Sequence, residues 1–436
     1  MRILHYFLGF HRAGGLNRYA SDLACEQARQ GHEVFALFPG GTLLPRRRPA
    51  IRRRSVCGGV TCFELLGGAP VPLLFGIRDP QMILKDGHRL PDEAVARFCD
   101  VVRPDILHIH TWMGFPKELL YEFKRRGVRT VFTTHDYFGL CPKVNFIDSA
   151  GVMCDASDDR KCSVCNAAAP SERALAIRNC RTLLAMKNLL RPFVGRGGSS
   201  GVSTDASEVP TCDYTALREY YLELLRQCDV IHANSNVSAG VYKRFVPDLS
   251  PKIVPISHAG IGDHRRRLKV GKTVKLAFSG PAAEFKGLPL LFRVLKDLYA
   301  SGLCNWHLDV WGAAGSDDSP NITYRGSYDL SRHAEVYGGA DLLIVPSVCN
   351  ETFGFVIPEA LSFGTPVLCS DTVGAQSLVA PEMVFHGEDG LRRRLEVLLR
   401  APSELERLNR DICEADFEFG METHTKKMSA LYNGSL

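Results

Sequence analysis

Short apolar runs recur along this chain with helical patterns between them, and no other feature constrains the fold as strongly. Residues 3–10, 33–38, 105–110, 128–134 and 230–235 have strand length and apolar character, with helical spacing at 16–29 and 116–126. Such alternation builds parallel sheets covered by helices on both faces. A second series follows, with strands predicted at 274–279, 307–311, 341–346 and 366–370 and a helix at 288–300. The expected class is α/β with two doubly wound domains, 1–262 and 273–415, joined by a linker at 263–272. Residues 416–436 are expected to form a helix that packs back on the first domain. A length of 436 residues suits that organisation.

Composition excludes several alternatives. With 45% hydrophobic and 23% charged residues the chain is neither disordered nor fibrous. No run reaches the roughly 18 uncharged apolar residues of a membrane span. The opening MRILHYFLGFHRAGG carries His5 inside its apolar run, so it reads as a buried first strand rather than a signal peptide. Fifteen cysteines, an odd number, argue for reduced thiols rather than a disulfide framework. The net charge of +5 is mild, but six of the nine residues 46–54 are Arg, and 264–269 is a second basic run. Such clusters suit phosphates, anionic lipid or nucleic acid, or form a solvated face.

Open parallel sheets bind ligands beyond the carboxyl ends of their strands. Gly14, Gly15, His110, His135, Ser235, Gly280, Lys286, Gly312 and Glu351 fall there. No G-x-G-x-x-G follows the first strand, and Gly271-Lys272-Thr273 has Arg266 where a phosphate-binding loop needs glycine, so both nucleotide fingerprints fail. His108 and His110 alternate on a buried strand, and at least one of them is expected to be a hydrogen-bonded core histidine. The strongest local pattern is Asn350-Glu351-Thr-Phe-Gly354-Phe-Val-Ile-Pro358-Glu359. Pro358 opens a helix with Glu359 in its first turn. Two carboxylates eight residues apart thus flank a helix start, where free N–H groups favour a diphosphate and a carboxylate can grip vicinal hydroxyls.

ETFGFVIPEALSFGTPV resembles the E-x7-E signature of retaining GT-B glycosyltransferases, family 4. Gly14-Gly15, DILHIH at 105–110, THDY at 134–137 and FKG at 285–287 agree with it in order. The resemblance implies two Rossmann-like domains facing across a cleft and a nucleotide diphosphate sugar as donor. It assigns Glu359 to the ribose, Glu351 to the transferred sugar, and the backbone of Phe353, Gly354 and Phe355 to the diphosphate. Lys286 would neutralise the departing diphosphate, His135 would line the reaction centre, and Gly14-Gly15 and Gly280 would approach the donor. Where the family has an Arg after Gly280 this chain has Pro281, and Arg325 is the expected substitute. Catalysis would need no metal, and the acceptor would be a glycan or a lipid-linked sugar.

Cys141, Cys154, Cys162 and Cys165 fall within 25 residues of one another. They are candidates for a closed structural zinc site, with ordinary buried or redox-active thiols as the alternative. The arginine run and a basic helix near 173–191 suggest a cytoplasmic enzyme held peripherally at an anionic membrane face. The alternative function is a non-catalytic nucleotide- or nucleic-acid-binding protein on the same scaffold. Nucleic acid is disfavoured because the basic runs lack interleaved aromatic residues.

Overall fold

The computed structural model describes residues 1–10, 12–41, 48–154, 158–178 and 209–435. Arg46, Arg47 and most of the 173–191 stretch lie outside the described residues. The chain forms two compact units, one comprising Met1–Ala233, Tyr242–Lys252 and Ser429–Leu436, the other Asn234–Val241 and Ile253–Met428.

The first unit is built on an eight-stranded sheet. Its strands are β1 (Arg2–Tyr6), β2 (Glu33–Pro39), β3 (Ala50–Cys57), β4 (Val60–Leu66), β5 (Ile106–Ile109), β6 (Arg129–Thr133), β7 (Val230–Ala233) and β8 (Lys252–Ile253). The order is β3-β4-β2-β1-β5-β6-β7-β8. β1 pairs parallel to both β2 and β5, so the order reverses between β1 and β5. β3 runs antiparallel to β4. Strand β3 carries Arg52, Arg53 and Arg54, all exposed, so the described part of the arginine run is an edge strand rather than a loop. Lysine or arginine on an edge discourages pairing with another chain.

The second unit has a six-stranded parallel sheet. Its strands are β9 (Val274–Ser279), β10 (Trp306–Trp311), β11 (Ile322–Gly326), β12 (Leu342–Val345), β13 (Val367–Ser370) and β14 (Val384–Phe385). The order β11-β10-β9-β12-β13-β14 is that of a dinucleotide-binding fold, with its switch point between β9 and β12. Helix Leu288–Ala300 covers this sheet through Leu288, Leu291, Val294, Leu295 and Leu298, one stripe at helical period. These side chains join Leu276, Phe278, Leu308, Leu342 and Ile344 in one buried cluster. Burying each Leu contributes about 2–3 kcal/mol.

The stretch 263–272, expected as a linker, is held within the second unit. Arg265 pairs with Asp263 and donates to the carbonyls of Ile412 and Ala415. Arg267 pairs with Glu414, and the Leu268 N–H donates to Asn409. These contacts strap the segment to helix Ser403–Glu414, and this basic run is accordingly partnered by carboxylates and carbonyls of its own unit.

Candidate active site

The switch point of the second sheet gathers the charged residues picked out from the sequence. Lys286 lies on a turn after β9, and Glu351 follows β12. Their side chains meet, with Lys286 Nζ 2.9 Å from Glu351 Oε2, while the Ser347 hydroxyl donates to Glu351 Oε1. Burial pulls the Lys286 ammonium downward, but the Glu351 carboxylate more than reverses this and leaves it above the ordinary lysine value. The ammonium therefore stays charged.

Glycine fixes the position of that lysine. Gly287 has φ +75°, and a Cβ there would lie 1.7 Å from the carbonyl oxygen of Pro346, just past β12. No other residue lets this turn sit so close to the strand end. Gly354 has φ +97°, and its Cβ would meet Val373 at 2.8 Å, so the turn between the two glutamates is closed in the same way. A Cβ on Gly312, after β10, would come 2.9 Å from the Gly280 carbonyl oxygen, so these two loops touch by backbone alone.

Glu359 stands in the first turn of helix Val356–Leu361 with its side chain only 6% exposed. His258 Nε2 lies 2.8 Å from Oε1, and the Tyr337 hydroxyl donates to Oε2 at 2.5 Å. The Gly260 N–H donates to His258 Nδ1 at 3.0 Å, which makes Nε2 the protonated nitrogen that donates to the carboxylate. Burial pushes the Glu359 carboxyl upward, yet the His258 and Tyr337 contacts outweigh it and set the group below the usual glutamate value. Tyr337 also contacts Tyr328 at 3.0 Å, and Tyr328 reaches Ser279 at the end of β9. Glu359 is thus an anchored anion.

Arg325 is differently placed. It lies on β11 with Nε 2.8 Å from Asp309 Oδ1, and that carboxylate is its one ion-pair partner among the described residues.

In the first unit, Gly14 precedes helix Gly15–Arg29 with φ +114°. His135 follows β6, and its Nε2 lies 3.1 Å from Nδ1 of His110. His110 Nε2 lies 3.0 Å from His5 Nδ1, and His5 Nε2 lies 2.7 Å from Gln27 Oε1. Tyr432 joins Gln27 to His108, which contacts Thr133 and through it His232. Both His108 and His110 are fully buried. Burial holds His5 down to about 4 and His110 well below the ordinary value, the latter helped by neighbouring imidazoles. His5, His108 and His110 are the one group among the described residues whose three potential metal-ligand atoms lie within 4.8 Å of one another. His5 and His110 bond to each other, to Gln27 and to His135, and His108 bonds to Tyr432 and Thr133, so they form a hydrogen-bonded core.

Three neighbours went unassigned by sequence reasoning. Asp136, next to His135, accepts from Thr111 and from the Phe138 N–H, and burial pushes its carboxyl up to about 6. The THDY pattern contained it, but only burial reveals its unusual acidity. His258 and Tyr337, which hold Glu359, come from chain positions far from the glutamate pattern and carried no local signal.

Cys141, Cys154, Cys162 and Cys165 all line one small cavity of the first unit, none of them in a disulfide.

These features and two family matches agree. The family described as Glycosyltransferase Family 4 matches residues 13–149, and that described as Glycosyl transferases group 1 matches 273–413, together more than half of the chain. The chain belongs to the GT-B glycosyltransferases, which transfer glycosyl groups. It is 26% identical over 243 residues to D-inositol 3-phosphate glycosyltransferase from Segniliparus rotundus, covering 49% of this chain and 54% of that one. The chain spans about half or less of the length of the curated relatives it matches. In structure it is similar to sucrose-phosphate synthase from Thermosynechococcus elongatus, with TM-score 0.58, 16% identity and 99% and 98% coverage. It is also similar to Anabaena Alr3699/HepE in complex with UDP, with TM-score 0.56, 13% identity and full coverage of both chains. These likenesses establish the fold. No helix among the described residues is long and apolar enough to cross a membrane.

Proposed function

We propose that the chain transfers a sugar from a nucleotide diphosphate sugar to a glycan or lipid-linked acceptor, with retention of anomeric configuration. The observation that carries this reading is the Lys286–Glu351 pair at the switch point of the second sheet, with anchored Glu359 eight residues further on. In this reading the donor diphosphate replaces Glu351 as the partner of Lys286, which frees the Glu351 carboxylate to accept from hydroxyls of the sugar. The Glu359 carboxylate accepts from the two ribose hydroxyls. UDP bound to the Anabaena protein is in keeping with a nucleoside diphosphate.

Transfer breaks the bond between the anomeric carbon and the diphosphate oxygen and joins that carbon to an acceptor oxygen on the same face. The acceptor proton passes to the leaving phosphate. Lys286 stabilises the charge that develops there, an effect typically among the largest in such reactions. His135 is assigned to the sugar side of the reaction centre. Gly14-Gly15, Gly280 and the backbone at 353–355 are assigned to close approach.

The relatives' name supports a second reading of the acceptor alone, a small phosphorylated polyol instead of a glycan. Release of nucleoside diphosphate from a panel of donor sugars, with and without each acceptor class, tests both readings. Turnover only with a phosphorylated polyol selects the second, and no release from any donor removes the proposal.

A further inference from the structure

We propose that Cys141, Cys154, Cys162 and Cys165 are the four ligands of a structural zinc ion in the first unit. The inference is independent of the sugar-transfer reading. Two arms present the thiols to one cavity. The first runs from Cys141, which ends a helical turn begun at Tyr137, through a small hairpin closed by the Ile147–Met153 bridge to Cys154. The second is helix Asp159–Asn166, where Cys162 and Cys165 are three residues apart and so share a face.

Two observations point to bound metal rather than to four idle thiols. The turn that follows Cys141 holds Val144 at φ 63° and Phe146 at φ 54°, a conformation unfavourable for β-branched and bulky residues. Such strain persists only where the surroundings over-determine it, and this turn is what carries the hairpin arm to the cavity. Beyond that, Lys161 lines the same cavity, 3.5 Å from Asp148, so an ammonium stands near the net charge of −2 that four thiolates around Zn²⁺ carry.

No three of these sulfurs lie within 4.8 Å of one another. Tetrahedral zinc–sulfur bonds of about 2.3 Å place ligand sulfurs about 3.8 Å apart, so binding draws the hairpin arm onto the helix. Four S–H bonds break, four Zn–S bonds form and four protons leave to solvent. The ion would then pin the segment that directly follows His135 and Asp136.

Elemental analysis of the reduced full chain, purified without added metal, is expected to give one zinc per chain. A mercurial that caps thiols should release it. Cobalt substitution should give the charge-transfer and visible bands of a tetrahedral thiolate site. The Cys162→Ser/Cys165→Ser variant should lose zinc and cobalt bands together, while Cys212→Ser should keep both. A zinc-free, folded wild-type protein that takes up neither metal overturns the proposal. So does iron with sulfide in place of zinc, a disulfide among the four cysteines found by non-reducing mass analysis, or loss of metal in Cys212→Ser.

Discussion

The carboxyl ends of the two sheets hold buried polar groups in opposite ways. In the first unit, His5, His108, His110 and His135 form a chain of imidazoles kept neutral at its centre by burial. In the second, Lys286 with Glu351, and Glu359 with His258 and Tyr337, preserve ionised groups by giving each a close partner. A neutral network avoids the cost of desolvating charge, and a paired one retains charge for a ligand that carries its own. The first arrangement orients a ring at a strand end, and the second is poised to exchange one anionic partner for another.

The sharpest way to break the contrast is to remove the cation. Lys286→Ala leaves Glu351 without its partner and is expected to lower kcat/KM by roughly 100- to 1000-fold, since a lost charge-stabilising donor commonly costs that much. Steady-state kinetics with the best donor measures it, and wild-type turnover in Lys286→Ala removes this lysine from the mechanism.

Moving the lysine without removing it is the next test. Gly287→Ala must push a Cβ off the Pro346 carbonyl in a left-handed turn, at a cost of about 3 kcal/mol. Calorimetry should show a Tm several degrees lower, with a weaker nucleotide-induced rise than in the wild type.

Acid sets two buried groups of the first unit against each other through linkage. His5 has a folded value of about 4, below its unfolded 6.5, so the stability it contributes is present above pH 6.5 and is lost as pH falls toward 4. Asp136 works in the opposite sense, because its folded value of about 6 lies above the unfolded 3.8 and favours the folded state as pH drops. Asp136→Asn should therefore make the acid loss of stability between pH 6.5 and 4 steeper, by on the order of 2 kcal/mol. Urea unfolding across that range checks the sign, and a shallower loss refutes it.

The smallest expected effect concerns Glu359. Glu359→Gln keeps the shape and removes the charge, so nucleoside diphosphate binding by titration calorimetry should weaken by about 10-fold or somewhat more. An unchanged Kd would place the ribose elsewhere.

Much of this was legible in the sequence because apolar runs advertise buried parallel strands. The helix at 288–300 and the carboxylates Glu351 and Glu359 were equally plain, since a glycine turn and an N-terminal proline bracket them. Strand β3 was missed because almost every residue in it is exposed, leaving no alternation to read. Edge strand β11 has a single fully buried residue, and β14 has only two residues in all. The pairing of Arg325 with Asp309 was not legible, because it depends on the pairing of β10 with β11, a neighbour relation that no local pattern encodes. His258, Tyr337 and Asp136 owe their importance to burial and to partners, which one-dimensional spacing does not carry.

Tyr432 has a consequence for the order in which the molecule is made. Its hydroxyl bridges Gln27 and His108, yet it sits on helix Met421–Asn433, more than three hundred residues after either partner was synthesised. At ~5–20 residues per second, the ribosome spends on the order of ten seconds or more between β8 and this tyrosine. During that interval the nascent first unit holds its strands with a gap in its polar core. Arrival of this tyrosine, rather than completion of the sheet, is the moment at which the polar core of the first unit closes.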